Sequence, residues 1–195
     1  MRSSILRLAL WLAVVCAQPA AAQQPEIILS WDPQGLVCHL EQTIGTQAAL
    51  YVLALPAGFL ADGVTGAELR VQGFPADWPR AVIPNPESAV SIGEPLGGGS
   101  NIAFATCQGE APRGSLVLLY TVQFVATSVV TGRVVSVTAH AVPSSPLLPC
   151  PWVVACYALA PFACAETRSA AINNAGFCVV ETAPTSWSQV RGLYR

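Results

Sequence analysis

The chain contains no lysine. A Walker A phosphate loop, a Schiff-base enzyme and a lysine general base each require one, so all three chemistries are excluded. Charge of either sign is scarce. Nine arginines and 11 acidic residues make only 10% of the chain charged, against about a quarter in an ordinary soluble domain, so Ser, Thr, Gln, Asn and Pro must cover the surface instead. A nucleic-acid partner is disfavoured on the same ground, because counterion release needs clustered cations and these arginines are scattered. Beyond residue 22 the only aspartates are Asp32, Asp62 and Asp77, with no acidic run of the kind that forms a calcium loop. No G-x-S-x-G surrounds any serine, which leaves a hydrolase triad without its usual anchor.

Long apolar runs are missing too, with one informative exception. Arg2 and Arg7 bracket a basic start, residues 8–17 are uncharged and apolar, and Ala20, Ala21 and Ala22 supply small residues for a signal peptidase. This pattern predicts a signal peptide at 1–22 and a secreted chain, extracellular, periplasmic or on the outer surface. The run falls well short of the roughly 20 apolar residues that span a bilayer, so no transmembrane segment is expected. Residues 23–181 are then expected to form one domain, followed by a linker and short amphipathic tail at 182–195.

The cysteines agree with export. Setting aside Cys16 leaves Cys38, Cys107, Cys150, Cys156, Cys164 and Cys178, an even number suited to disulfides in an oxidising compartment. Their spacings are unlike those of zinc sites, and no metal or other cofactor is expected. The connectivity is open by arithmetic alone. Because the last four cysteines cluster, they are expected to pair among themselves and leave Cys38 with Cys107.

Apolar and polar residues alternate in twos, as in 67–72, where Ala67, Leu69 and Val71 oppose Glu68, Arg70 and Gln72. Runs at 26–31, 48–55, 89–92, 101–107, 115–126, 133–142 and 177–181 are rich in β-branched and aromatic residues and are punctuated by Gly or Pro. The pattern predicts an all-β chain, an antiparallel β-sandwich with a disulfide-stapled C-terminal segment. Run 115–126 is apolar on both faces and is placed in the centre of a sheet. The proline-rich stretch 73–86 reads as an ordered loop or edge excursion, and 143–161 as an apolar irregular segment. Stretch 146–164 is the least polar non-strand region and the expected place for any exposed apolar patch.

Candidate chemistry is thin. His140 reads as a solvated strand position. His39 follows Cys38, but an oxidised cysteine is no nucleophile. Residues 97–101 read as a turn, without the lysine or helix of a phosphate cradle. Glu68, Glu87, Glu94 and Glu110 are the carboxylates from which a glycosidase pair would be drawn, and nothing in their spacing brings them together. Aromatic residues in loops and at strand ends are the stronger lead, since such rings stack on sugars or fill a partner's pocket. Trp31, Trp78, Trp152 and Tyr157 are therefore the candidate binding residues.

Residues 64–71 (VTGAELRV), 97–105 (GGGSNIAFA) and 116–125 (LVLLYTVQFV) occur in the order of the corresponding strands of cohesins. The chain resembles a cohesin-like β-sandwich over roughly 26–142, and also uncharacterised secreted bacterial proteins of that type that carry several cysteines. The resemblance implies an Ig-like or cohesin-like sandwich and a non-catalytic binding role, cohesins being modules that bind dockerins. The six cysteines, the proline-rich loops and the segment beyond 142 are not cohesin features. The expected function is a non-enzymatic binding or structural module of the cell envelope with a protein or polysaccharide ligand. The alternative is an extracellular hydrolase using convergent carboxylates or a Ser/His pair.

Overall fold

Period-two alternation becomes strands throughout the described residues. A computed structural model describes residues 24–57, 62–109, 115–156, 162–174 and 176. The expected signal peptide, the strand at 177–181, the tail at 182–195, Glu110, Tyr157 and Cys178 lie outside the described residues. The elements are β1 (Glu26–Ser30), β2 (His39–Leu40), β3 (Gln47–Leu55), β4 (Val64–Gln72), β5 (Arg80–Pro84), β6 (Ser88–Glu94), β7 (Gly99–Gln108), β8 (Val117–Val125), β9 (Arg133–Thr138), β10 (Trp152–Ala155), β11 (Phe162–Cys164), β12 (Glu166–Arg168) and β13 (Ala170–Ile172). One sheet has the order β12-β1-β3-β8-β5. The other runs β11-β10-β4-β9-β13-β2, with β7 and then β6 added to β4. Pairing is antiparallel except for β1 with β12 and β2 with β13, which are parallel.

The inner faces of the two sheets share one core of Leu29, Leu50, Val52 and Leu119 from the first and Leu69, Val71 and Ile102 from the second. Strand β8 lies between β3 and β5, an interior position as its two-sided apolar pattern predicts. Its faces do not alternate uniformly. A bulge opposite Val52 and Leu53 inserts Leu119, so both Leu119 and Tyr120 enter the core and the buried set shifts to Val122 and Phe124. The proline-rich stretch after β4 delivers Trp78 to the end of the core, stacked on Phe124 with 5.2 Å between ring centroids. It then continues into β5 as an edge strand, with Pro84 at its last position.

Two expectations are corrected. The run 133–142 ends as a strand at Thr138, and the supposedly irregular 143–161 contains a paired strand, β10. Both β9 and β10 lie on the edge of β4 opposite β7, one after the other: Thr138 faces Arg70, and Trp152 faces Glu68. The chain leaves the sheet at 139 and returns at 151 to resume nearly the same line.

This arrangement also sets the cysteine pairing. Cys107 is bonded to Cys156 and Cys150 to Cys164, which overturns the expected closed group of four and the Cys38–Cys107 pair. Gln108 and Ala155 both oppose Val64, from opposite edges of β4. Cys107 and Cys156 therefore meet across the start of that strand, over Gly63. A Cβ on Gly63 would lie 2.5 Å from the Cys107 sulfur, and its φ of +114° also favours glycine. Cys38 is disulfide-bonded as well.

The turn after β1 closes on Asp32, whose carboxylate accepts hydrogen bonds from the Ser30 hydroxyl at 2.6 Å and from the backbone N–H groups of Leu36 at 2.8 Å and Val37 at 2.6 Å. Burial pushes this carboxyl up, but the donors of Ser30, Val37, Leu36 and Gln34 outweigh it and hold the pKa below the ordinary value. A depressed folded-state pKa stabilises the fold fully above the unfolded value, about pH 4, and that contribution is lost as pH falls through the folded value. Asp32→Asn should therefore show a flatter fall in urea-unfolding stability between about pH 4.5 and pH 2.5 than the parent chain. Elsewhere, Ser100 Oγ is the one buried side-chain polar atom among the described residues with no hydrogen-bond partner. Replacing it by Ala removes an uncompensated desolvation cost, so Ser100→Ala should raise unfolding stability by about 1 kcal/mol; a fall would show that the hydroxyl is satisfied in solution.

Candidate functional site

Strand register decides which side chains look outward from the eight-stranded sheet. The row Val153, Ala67 and Ile102 is buried in the core. The flanking rows therefore face outward, since side chains alternate along each strand. One flanking row runs Phe162, Val154, Gly66, Ala103, Val90 across β11, β10, β4, β7 and β6. The other runs Cys164, Trp152, Glu68, Asn101, Ile92 across the same five strands. Five strands span about 19 Å at the usual spacing. Phe162 is 50% exposed, Val90 47% and Ile92 64%, while Ala103 is exposed and Val154 half-buried. Gly66 leaves the floor between Val154 and Ala103 without a side chain; a Cβ there would lie 2.8 Å from the Ile102 carbonyl oxygen.

The second row contains a charged residue type that is fully buried. Glu68 points to the outer side of β4, yet it is covered. Its carboxyl accepts the backbone N–H of Ser144 at 3.1 Å and the Trp152 indole N–H at 3.0 Å, together with the Ser144 hydroxyl. Trp152 is half-buried, and its ring is tilted against Phe162 at 6.0 Å. This carboxyl fixes the indole on the face and ties down the segment that leaves the sheet between β9 and β10.

The aromatic candidates do not form one cluster. Trp78 is only 2% exposed and donates its indole N–H to Ser128, so it is corrected from candidate binder to core residue. Trp31 packs edge-on against the same Phe124, and its indole N–H bonds the Ala171 carbonyl at 3.0 Å, bridging the two sheets. Trp152 alone of the described three stands on an outer face. Phe162, Val154 and Trp152 come from the stretch in which an apolar patch was expected, but on strands and not in a loop. Val90, Ile92 and Ala103 were missed as functional residues. Their signal is the alternation of 89–92, whose apolar members point away from the core.

Other candidates resolve locally. His140 lies over Gly99, half-buried, and accepts the Val142 N–H through Nδ1. His39 accepts the Asn174 N–H through Nε2. The turn expected at 97–101 is corrected to 95–98, between β6 and β7, since residues 99–101 belong to β7. Among the described residues no group of three or more His, Cys, Asp or Glu is placed to hold a metal. On the five-stranded sheet the outer face carries an open depression of about 650 Å³, floored by Ala49 and Ala81 and edged by Gln47, Gln123 and Arg80.

No family model matches the chain, and no curated protein matches it. Among solved structures it is similar to cohesin modules. The sixth cohesin of scaffoldin B from Acetivibrio cellulolyticus shares 12% identity, with 77% of this chain and 99% of that one covered and a TM-score of 0.46. The seventh ScaB type I cohesin of Pseudobacteroides cellulosolvens shares 8%, covering 76% and 90%, at 0.43. A type III cohesin of Ruminococcus flavefaciens ScaE shares 10%, covering 78% and 88%, at 0.39. These neighbours are modules of the kind that the strand order of the sequence resembles.

The buried carboxyl yields a stability prediction. Each identified group facing Glu68 donates to it, so the amide of Glu68→Gln would bring in N–H donors that lack a matching acceptor. Urea unfolding should show a loss of about 1–3 kcal/mol, whereas an unchanged midpoint would mean that Ser144 and Trp152 are not bonded to it in solution.

Proposed function

We propose that the chain is a secreted, non-catalytic binding module whose partner is a protein, docked on the outer face of β11, β10, β4, β7 and β6. The observation that carries this reading is the continuous apolar row Phe162, Val154, Gly66, Ala103, Val90, extended by Ile92 and Trp152. The row is open at Phe162, Ala103 and Val90, half-buried at Val154 and closed at the buried Gly66. An apolar strip held in register across five strands suits a protein interface, and scattered surface hydrophobes do not produce it. The chemistry favours protein over polysaccharide. Sugar platforms rely on open aromatic rings and flanking hydrogen-bond groups, whereas this face is mainly aliphatic and its tryptophan is tied to Glu68. The disulfides Cys107–Cys156 and Cys150–Cys164, with Cys38 bonded as well, support an oxidising destination, in keeping with the expected signal peptide. Glu68 has its carboxyl occupied by Ser144 and Trp152, which counts against its use as a hydrolytic acid.

The test is retention of proteins from the source's secreted and envelope fractions on the immobilised chain, with Ala103→Arg and Ile92→Asp run in parallel. Dockerin modules, which the sequence resemblance names, form a defined second arm. Both substitutions lie on an exposed face, so thermal unfolding should be nearly unchanged while a specifically retained protein is lost at least tenfold. Equal retention by the variants, or retention of an envelope glycan in place of protein, would sink this reading.

A further inference from the structure

The segment between β9 and β10 crosses the docking face. His140 covers Gly99 on β7, the Ala141 N–H bonds the Gly98 carbonyl at 2.7 Å, and Ser144 sits over Glu68 on β4. Glu68 is fully buried although it belongs to an outward row, because this segment and Trp152 lie on top of it. Beyond these points the attachment is slight. No residue of 139–149 belongs to the described core; Val142 at 77% exposure and Leu147 at 87% face solvent, and Leu148 is half-buried. Pro143, Pro146 and Pro149 stiffen it. Both ends are fixed, by the pairing of Thr138 with Arg70 and by the Cys150–Cys164 bond.

A stiff segment with anchored ends, no residue in the core and polar ties only at Ala141 and Ser144 opens locally at far lower cost than the sheets beneath it. We propose that residues 139–149 are a strap over the Glu68 end of the outer face, latched by Ser144 on Glu68. Its opening frees that carboxyl as an acceptor for a docked protein's donor. The gating role rests on the docking reading; the latch does not. In the closed state Ser144 occupies the acceptor, and a partner covering both rows must displace it.

The latch is tested without any partner, by amide hydrogen exchange on the full chain and by chymotrypsin cleavage after Leu147, since Pro149 blocks cutting after Leu148. Ser144→Ala removes the hydroxyl donor, and loss of one such bond to a carboxyl corresponds to about tenfold faster opening. Exchange in 139–149 and cleavage should both rise by that factor, with exchange in β3 and β8 unchanged. Unchanged exchange in 139–149 overturns the latch, and so does acceleration of every strand together, which would make the segment part of the global unfolding unit. Gating is read with a protein that is retained by the parent and lost from Ala103→Arg. Ser144→Ala should bind it several-fold more tightly, and equal affinity removes the gate while leaving the docking face intact. If no protein depends on Ala103, the docking reading fails and the gate fails with it, while the exchange result still decides the latch.

Discussion

One carboxyl organises the outer surface of this sandwich. Glu68 is paired on both edges of β4, with Trp152 and with Asn101, and its side chain stands on the outer face, which neighbouring strands do not cover. The segment between β9 and β10 crosses that face, and the carboxyl is covered by donors: the Ser144 backbone, the Ser144 hydroxyl and the Trp152 indole. A buried carboxyl is costly unless its oxygens are hydrogen-bonded, and meeting that need fixes three things together. The return point of the chain, the orientation of the indole, and the position of the crossing segment all follow from the same group.

The disulfides act on the same strand from its two ends. Cys150 and Cys156 flank β10, and their bonds run to opposite neighbours, β11 through Cys164 and the end of β7 through Cys107. Four residues make a weak strand, and β10 is held by these covalent ends as well as by its ladder to β4. The bond to Cys107 passes over Gly63, a position where any side chain would collide with sulfur. The apolar face and the core therefore meet in β10, whose Val153 and Ala155 are buried while Trp152 and Val154 face outward.

Much of this was legible where alternation was clean. Strands β3, β4, β7 and β8 and the interior place of β8 follow from period-two patterning, while the glycine-rich turn read at 97–101 lies at 95–98, with residues 99–101 already in β7. What failed depends on long-range register. The bulge in β8 that admits both Leu119 and Tyr120 is imposed by pairing with β3, and no local pattern announces it. Pairing of Cys107 with Cys156 requires that β7 and β10 be known to flank the start of β4, whereas clustering in sequence suggested the last four cysteines as a closed group. Strand β10 was hidden because Pro149 and Pro151 sit beside it, although Trp152, Val153, Val154 and Ala155 form an apolar run between two cysteines. Trp78 misled for a related reason: a proline-rich loop was read as surface, but this one closes the end of the core and buries its ring.

Scarce charge also changes how the surface has to be read. With so few ionic side chains, apolar atoms are exposed in many places, and an exposed Leu36 or Ile44 by itself identifies nothing. The two outer faces differ in their organisation. On the five-stranded sheet, Ile28 and Leu53 are buried, and Gly35 in the Asp32 turn packs close to Leu53. On the eight-stranded sheet the comparable covering is the segment 139–149, which rests on a hydroxyl and a carboxyl and leaves Phe162, Ala103 and Val90 in solvent beside the half-buried Val154 and the buried Gly66. An apolar row kept in register by five paired strands, beside a cover held by a polar contact, has a shape that the strand ladder fixes in advance, so the docking proposed on it would cost little ordering of the face itself.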